Sequence, residues 1–391
     1  HSVNFESDLQ MNYRIKRSEL EGYDLSTAYL VVEKDVYSTK GEIAVETCTL
    51  YPDLNTDADR VIFTLKGIQS VEMGSELRAT LYISDTQGRE VKSSVDTYSI
   101  LAYAQLCFDS YSYEEQPALY RLLMDTLNYG AAAQVYFGRR TDSLVNAGME
   151  AYQQYASKEL AAELTDTKVV TDNSNSTLVS KLGFTVSFAD RLELNAKLTL
   201  SGKAAEITSV KVTDESGKTV ATLTDFTQLP DGRLQVTYSG IKATQLRQMY
   251  YFTAYSGETA VSPTTGYSVE AYAGSCLNSS DFALAALVRS CMYYGDSAAT
   301  YFNEKGGGEP LKKEYRKPQL WYEDFQLSQS IASGCEGVAN YAEGLCTVTL
   351  EGPGYSLTLF TDPAICFDSP PNPDDYLCYH APTEANNVFS S

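Results

Sequence analysis

Hydrophobic and polar positions along this chain change period in a regular order. "AYLVVEKDVYS" (28–38), "DRVIFTLKGI" (59–68), "LRATLYISD" (77–85) and "REVKSSVDTYS" (89–99) are rich in β-branched and aromatic residues, with turn signals such as Asp-Thr-Gln-Gly between them. Runs of this kind predict short antiparallel strands. From Leu119 the spacing turns helical, with Leu122, Leu123, Thr126, Leu127, Gly130, Ala133, Gln134 and Phe137 on one stripe. The preceding "YSILAYAQLCF" predicts a shorter helix, so a helical pair follows the strands.

The same order then returns. "ELNAKLTLSG", "ITSVKVTDESGKTVATL", "GRLQVTYSGI" and "MYYFTAYSG" predict strands, with hairpin turns at Glu215-Ser-Gly and Pro230-Asp-Gly. Leu284, Leu287, Val288, Cys291, Gly295, Ala298 and Phe302 repeat the helical stripe. "GIQSVEMGSELRATLY" at 67–82 aligns without gaps to "GIKATQLRQMYYFTAY" at 240–255, an offset of 173. "YSILAYAQLC" at 98–107 meets "YSVEAYAGSC" at 267–276, and "LNYGAAAQVYF" at 127–137 meets "MYYGDSAATYF" at 292–302. Those offsets are 169 and 165, so two four-residue contractions, both between blocks, account for the series. The reading is a tandem duplication.

These patterns predict an α+β chain: two tandem antiparallel β-sandwich-like modules, each followed by a helical hairpin, and a small cysteine-containing β region. The expected boundaries are an N-terminal extension at 1–20, module 1 at 21–150, a connector at 151–177, module 2 at 178–305 and the cysteine-rich region at 306–391. In that last region, "EKGGGEPLKKEYRKP" reads as a linker and "LCTVTLEGPGYSLTLFTD" as a β-hairpin.

The Gly-Ala-Ala-Ala at 130–133 lies within a helical pattern, not between a strand and a helix where a phosphate loop belongs. The second copy has Gly-Asp-Ser-Ala there, and an aspartate repels phosphate. A glycine costs about 1 kcal/mol in a helix relative to alanine, which points to close packing as its reason. Tyr129, Gly130, Ala133, Tyr136 and Phe137, with Tyr294, Gly295, Ala298, Tyr301 and Phe302, are therefore structural packing candidates.

Tyr-Ser-x-x-x-Tyr-Ala followed by Leu-Asn-Tyr-Gly-Ala-Ala-Ala-Gln-x-Tyr-Phe resembles a module of large, mostly uncharacterised secreted or surface-attached proteins of anaerobic Gram-positive bacteria. That module is often repeated beside leucine-rich, immunoglobulin-like or dockerin modules. The resemblance covers residues 21–145 well and 180–305 more loosely. It implies an extracellular, multi-module surface protein and supplies no catalytic residues.

Charge narrows the partners. The 30 basic and 51 acidic residues leave a formal net charge of −21, which disfavours nucleic acid and anionic membrane surfaces. No apolar run is long enough to span a bilayer, so no membrane insertion is expected. The eight cysteines are Cys48, Cys107, Cys276, Cys291, Cys335, Cys346, Cys366 and Cys378, and their even number permits disulfides. Cys276 and Cys291 fall on the two helices of one pair and make a candidate bridge, which leaves Cys107 to Cys48 and the last four to one another.

Catalytic readings find little to build on. Asp53, Asn55, Asp57 and Asp59 echo the first half of a calcium loop, but Ala58 and Thr64 stand where that loop wants Gly and Glu. They form a weak calcium candidate; otherwise no cofactor is expected. His1 and His380 are the only histidines, too few for a convincing triad or copper brace. Trp321 and Tyr322 are candidates for stacking on a sugar or protein. The expected function is a non-enzymatic structural or adhesive protein outside the cell, with self-association, a host or cell-wall protein, or a glycan as partner. A carbohydrate-binding protein, or a glycoside hydrolase with an unrecognised carboxylate pair, is the alternative.

Overall fold

The computed structural model describes residues 1–5, 9–37, 43–54, 57–188, 191–201, 204–306, 336–342, 345–352 and 355–361. The chain is α+β with mostly antiparallel sheets, and it divides into two compact units. The larger spans His1–Ser157 and Ala161–Lys313; the smaller contains Glu314–Ser391.

In the first half of the larger unit, β1 (Ser2–Phe5), β2 (Leu9–Lys16) and β5 (Arg60–Ile68) form one sheet in that order. A second sheet runs β4-β3-β6-β7, from β3 (Tyr23–Tyr37), β4 (Ile43–Leu50), β6 (Leu77–Asp85) and β7 (Glu90–Lys92), with β8 (Asp96–Tyr98) also on β6. The helices α1 (Ile100–Ser110) and α2 (Pro117–Phe137) follow.

In the second half, β9 (Val169–Asp172), β10 (Val179–Ser187), β11 (Glu193–Leu200), β12 (Ser209–Thr213), β13 (Thr219–Leu223), β14 (Thr227–Gln228) and β15 (Leu234–Tyr238) come first. They are followed by β16 (Tyr250–Ser256), β17 (Thr259–Ala260), β18 (Thr264–Tyr267), α3 (Val269–Cys276) and α4 (Phe282–Gly306). The sheets run β10-β11-β15-β14 and β13-β12-β16-β18-β9.

Strand registers in the halves correspond. Tyr13 lies opposite Phe63 on β2–β5, and Ala196 opposite Val236 on β11–β15. Val32 faces Ala79 on β3–β6, and Val212 faces Phe252 on β12–β16. Phe63 and Val236, like Ala79 and Phe252, are separated by the 173 residues of the aligned block. The stretch 1–20, expected to be an extension, instead supplies β1 and β2. Its alternating "LQMNYRIK" turns Met11 and Tyr13 into the core. The expected connector likewise supplies β9, paired with β18.

The Ser of each Tyr-Ser pair is a helix cap. Ser99 Oγ accepts from Ala102 N at 2.9 Å and Ser268 Oγ from Ala271 N at 3.0 Å. Gly138 ends α2 at φ +63°, a left-handed position that suits glycine.

The smaller unit shows β19 (Glu336–Ala342), β20 (Leu345–Gly352) and β21 (Tyr355–Thr361) as an antiparallel meander. The expected Gly-Pro-Gly hairpin is the β20–β21 pair, in which Gly352 faces Tyr355. Cys346 falls on β20. Trp321, Tyr322, Cys335, Cys366, Cys378, His380 and most of the expected linker lie outside the described residues.

Candidate interaction surface

The repeated helical motif lies inside the molecule. α2 packs against α4 with Tyr129 and Tyr294 stacked at 5.5 Å and 6° near the centre of the contact. Both rings are buried, as are Ala133 and Ala298. The flanking tyrosines join halves: Tyr301 of α4 lies by Tyr103 of α1, and Tyr136 of α2 by Tyr272 of α3. Burial, then the neighbouring cysteine, pushes the Tyr103 and Tyr272 hydroxyls well above the usual tyrosine range. Phe5 reaches across to Tyr294 and Phe302 at 6.3 and 6.2 Å. Ser70 Oγ crosses in the same direction and donates to the Phe188 carbonyl at 3.1 Å.

Each of the two glycines sits in a close contact. What comes close to each is neither a helix nor a sheet but a 3-10 turn of its own half. A Cβ on Gly130 would stand 3.1 Å from the Ser70 carbonyl and 2.7 Å from Met73 Sδ. One on Gly295 would stand 3.2 Å from the Ala243 carbonyl and 2.5 Å from Leu246 Cδ1. Ser70–Glu72 and Ala243–Gln245 are those turns.

The cysteine pairings on this unit are corrected. Cys48, Cys107, Cys276 and Cys291 are free thiols. Cys291 points into the α2–α4 contact by Tyr129, fully buried, and burial raises its thiol well above the usual range. Cys48 sits on exposed β4, and Cys107 is buried beside Tyr103. Neither expected pair is brought together, because each thiol is committed to a separate environment.

Two of the acidic-loop aspartates have local partners. Asp57 Oδ1 accepts from Asp59 N at 2.9 Å and Arg60 N at 3.1 Å, and its other oxygen lies 3.7 Å from Arg14. Asp53 is in a backbone bridge to Ile62, and Asn55 lies outside the described residues. Among the described residues no three His, Cys, Asp or Glu side chains form a metal-binding group. His1 Nε2 donates to Asp96 Oδ2 at 2.8 Å, and its ring stacks on Tyr98 at 3.8 Å.

The buried charges that sequence reasoning missed are fixed in place by neighbours. Arg247 holds Asp296 through two bonds, of 2.7 and 2.9 Å, and Glu270 at 2.5 Å. Asp296 in turn accepts from Ala161 N at 2.8 Å. Asp125 accepts from Ser157 N at 2.8 Å and Ser157 Oγ at 2.6 Å, and burial raises its carboxyl to about 6. These groups tie Ser157 to α2 and Ala161 to α4. An open depression of about 390 Å³ lies over the loop after α2, lined by Thr141, Asp142, Asn146, Glu150 and Gln153. Its amides are engaged with one another through Asn128, at 2.9–3.1 Å.

No protein-family model and no curated protein matches this chain. Among the described residues no helix is long and apolar enough to cross a membrane.

The surface that stands out is β4. It pairs with β3 without a register break from Leu30–Leu50 to Tyr37–Ile43, and among the described residues no strand pairs with its other edge. Seven of its eight residues are exposed, Ile43 by 60% and Val45 by 57%, and Tyr51 beyond its end by 75%. Sheet edges usually carry lysine, proline, a bulge or very short strands that discourage pairing. Other described edges of this unit have such protection. β1, β7, β9 and β14 are short, and β10 and β13 each have a register break in their ladders. β5 is covered by the Asp53–Ile62 bridge. β4 has one charge, Glu46, which Lys34 meets at 3.3 Å. The period-2 run of Ile43, Val45, Thr47 and Thr49 was the available signal; the sequence reading noted only Cys48 within it.

Proposed function

We infer that this chain is a non-enzymatic structural or adhesive protein of the cell surface or extracellular space that engages its partner by strand addition at β4. The observation carrying this reading is the open, exposed, nearly neutral edge on a molecule of net charge −21. Strand addition uses main-chain hydrogen bonds for affinity and alternate side chains for specificity. We read the larger unit as two tandem β-sandwich-like modules, each with a helical hairpin, fused into one rigid body. The matching registers and the Tyr129–Tyr294 seam support that reading. The polar and titratable groups described above are engaged in holding segments together, which supports a non-catalytic role.

Electron microscopy of material from the source, with binding to intact producing cells, tests this. Wild-type chain held in ordered assemblies or on the surface, and Val45→Lys released from them, is the expected result. Equal retention of both refutes β4 as the working surface. Glycan binding, the alternative, would be supported by an affinity that Trp321→Ala abolishes.

A further inference from the structure

The direction of the backbone groups on β4 restricts what can pair with it. Ser93 N donates to the Leu81 carbonyl at 2.9 Å, and Asp85 N to the Arg89 carbonyl at 2.9 Å. Odd-numbered residues of β6 therefore turn their amides and carbonyls away from β3, and even-numbered ones turn them toward it. In an antiparallel ladder these directions alternate residue by residue. Thr80, opposite Val31, bonds to β3, so Leu30 and Val32 turn their groups to β4, where they face Leu50 and Cys48. It follows that Ile43, Val45, Thr47 and Thr49 direct their N–H and C=O groups to the open side.

We propose that a second copy of this chain occupies that edge, with β4 antiparallel to β4 about a twofold axis through Thr47. This rests on reading β4 as the partner-binding surface. A strand that pairs with itself does so isologously, so the axis passes through one residue or between two. Keeping each face continuous requires odd residues opposite odd ones, because side chains alternate with period 2. An axis through Glu46 would set that carboxylate against its own copy, and one through Cys48 would pair only residues 46–50 of the strand. Of the remaining axes, at Val45, Thr47 and Thr49, only Thr47 overlaps the whole strand.

The side chains suit that register. Val45 faces Thr49 of the second copy, Ile43 faces Tyr51, and Ala44 faces Leu50. Glu46 faces Cys48 instead of another Glu46, so like charges are not opposed. Lys34 lies between Glu46 at 3.3 Å and buried Glu72 at 2.8 Å, so Glu46 is the one charge this strand brings to the pairing on a strongly acidic molecule. Repulsion between the acidic remainders is long-range and screened by salt, so pairing strengthens as ionic strength rises. An isologous contact closes on itself, so the product is a dimer, and a longer assembly grows through another surface.

Sedimentation of the full chain tests the partner, and cysteine crosslinking tests the register. The expected mass is twice 43.0 kDa, with Val45→Lys weakening dimerisation at least about tenfold. In the Thr47→Cys, Cys48→Ser double variant the two new thiols lie directly opposite, about 5.5 Å apart between Cα atoms, within disulfide range. Diamide, which takes up the two electrons and two protons, then gives a covalent dimer of that variant. Native Cys48 is diagonal to its counterpart at about 7–8 Å and stays uncrosslinked. A chain that is monomeric at all salt concentrations overturns self-pairing, as does preferential crosslinking through Cys48. If it is monomeric while Val45→Lys still releases it from cells, β4 binds another protein's strand and only the self-pairing fails. If the variant has no effect on cells either, the broader reading fails with it.

Discussion

Substituting Gly130 by Ala separates two opposing effects of known size. Alanine is favoured over glycine in a helix by about 1 kcal/mol, so on an unobstructed face the variant would be more stable. Here the new Cβ would stand 2.9 Å from Val145 Cγ1, 2.7 Å from Met73 Sδ and 3.1 Å from the Ser70 carbonyl. Carbon contacts relax at about 3.5–4.0 Å, so α2 and the 3-10 turn must separate by several tenths of an ångström. Overpacking of that kind costs about 1–3 kcal/mol, and the turn is held on both sides by buried Val71 and Met73. The expected net loss is about 1 kcal/mol. Gly295→Ala meets Leu246 and the Ala243 carbonyl in the same way and should lose a similar amount. Urea unfolding of both variants at one pH measures it. A midpoint at or above wild type for either variant would refute close approach as the reason for its glycine.

Other expectations concern the groups that hold the larger unit together. Asp125 has its carboxyl raised from 3.8 to about 6 by burial, so its ionisation opposes folding. The associated stability is greatest below pH 4, falls between about pH 4 and 6, and amounts to about 3 kcal/mol. Asp125→Asn should therefore gain on wild type by that amount between pH 4 and pH 7 in urea titrations; a constant difference would contradict the assignment. Arg247→Met leaves Asp296 and Glu270 without their cation and should cost about 3 kcal/mol by the same assay. Among Cys48, Cys107, Cys276 and Cys291, an aromatic disulfide reagent should modify Cys48 at once, whereas Cys107 and Cys291 react only after unfolding. Prompt labelling of Cys291, read by peptide mass, would contradict the α2–α4 seam.

The sequence pattern revealed the strands that alternate cleanly, such as β6 and β15, and the long helices with their repeated stripe. It also marked Gly130 and Gly295 as packing positions. It could not show what they pack against, because a turn brought near by tertiary folding leaves no local period. α2 is buried well beyond its apolar stripe, taking in Asp125 and Tyr129, because it is covered by its own turn and by α4 together. That second cover comes from the other half of the unit, at long sequence separation. The β4 surface was harder still. Its composition is that of an ordinary strand, and only the sheet order shows that, among the described residues, one side pairs with no strand. The cysteine pairings failed because chain proximity on adjacent helices does not fix which way each thiol points.

Amide hydrogen exchange of the full chain over a concentration series probes the β4 edge most directly. At low concentration, Val45, Thr47 and Thr49 should exchange rapidly, because their N–H groups face the open side. As concentration rises they should become protected together, while the amides of the other sheet edges stay unchanged. Rapid exchange of these three residues at every concentration, or equal protection along all edges, would contradict β4 as the docking edge for a second copy.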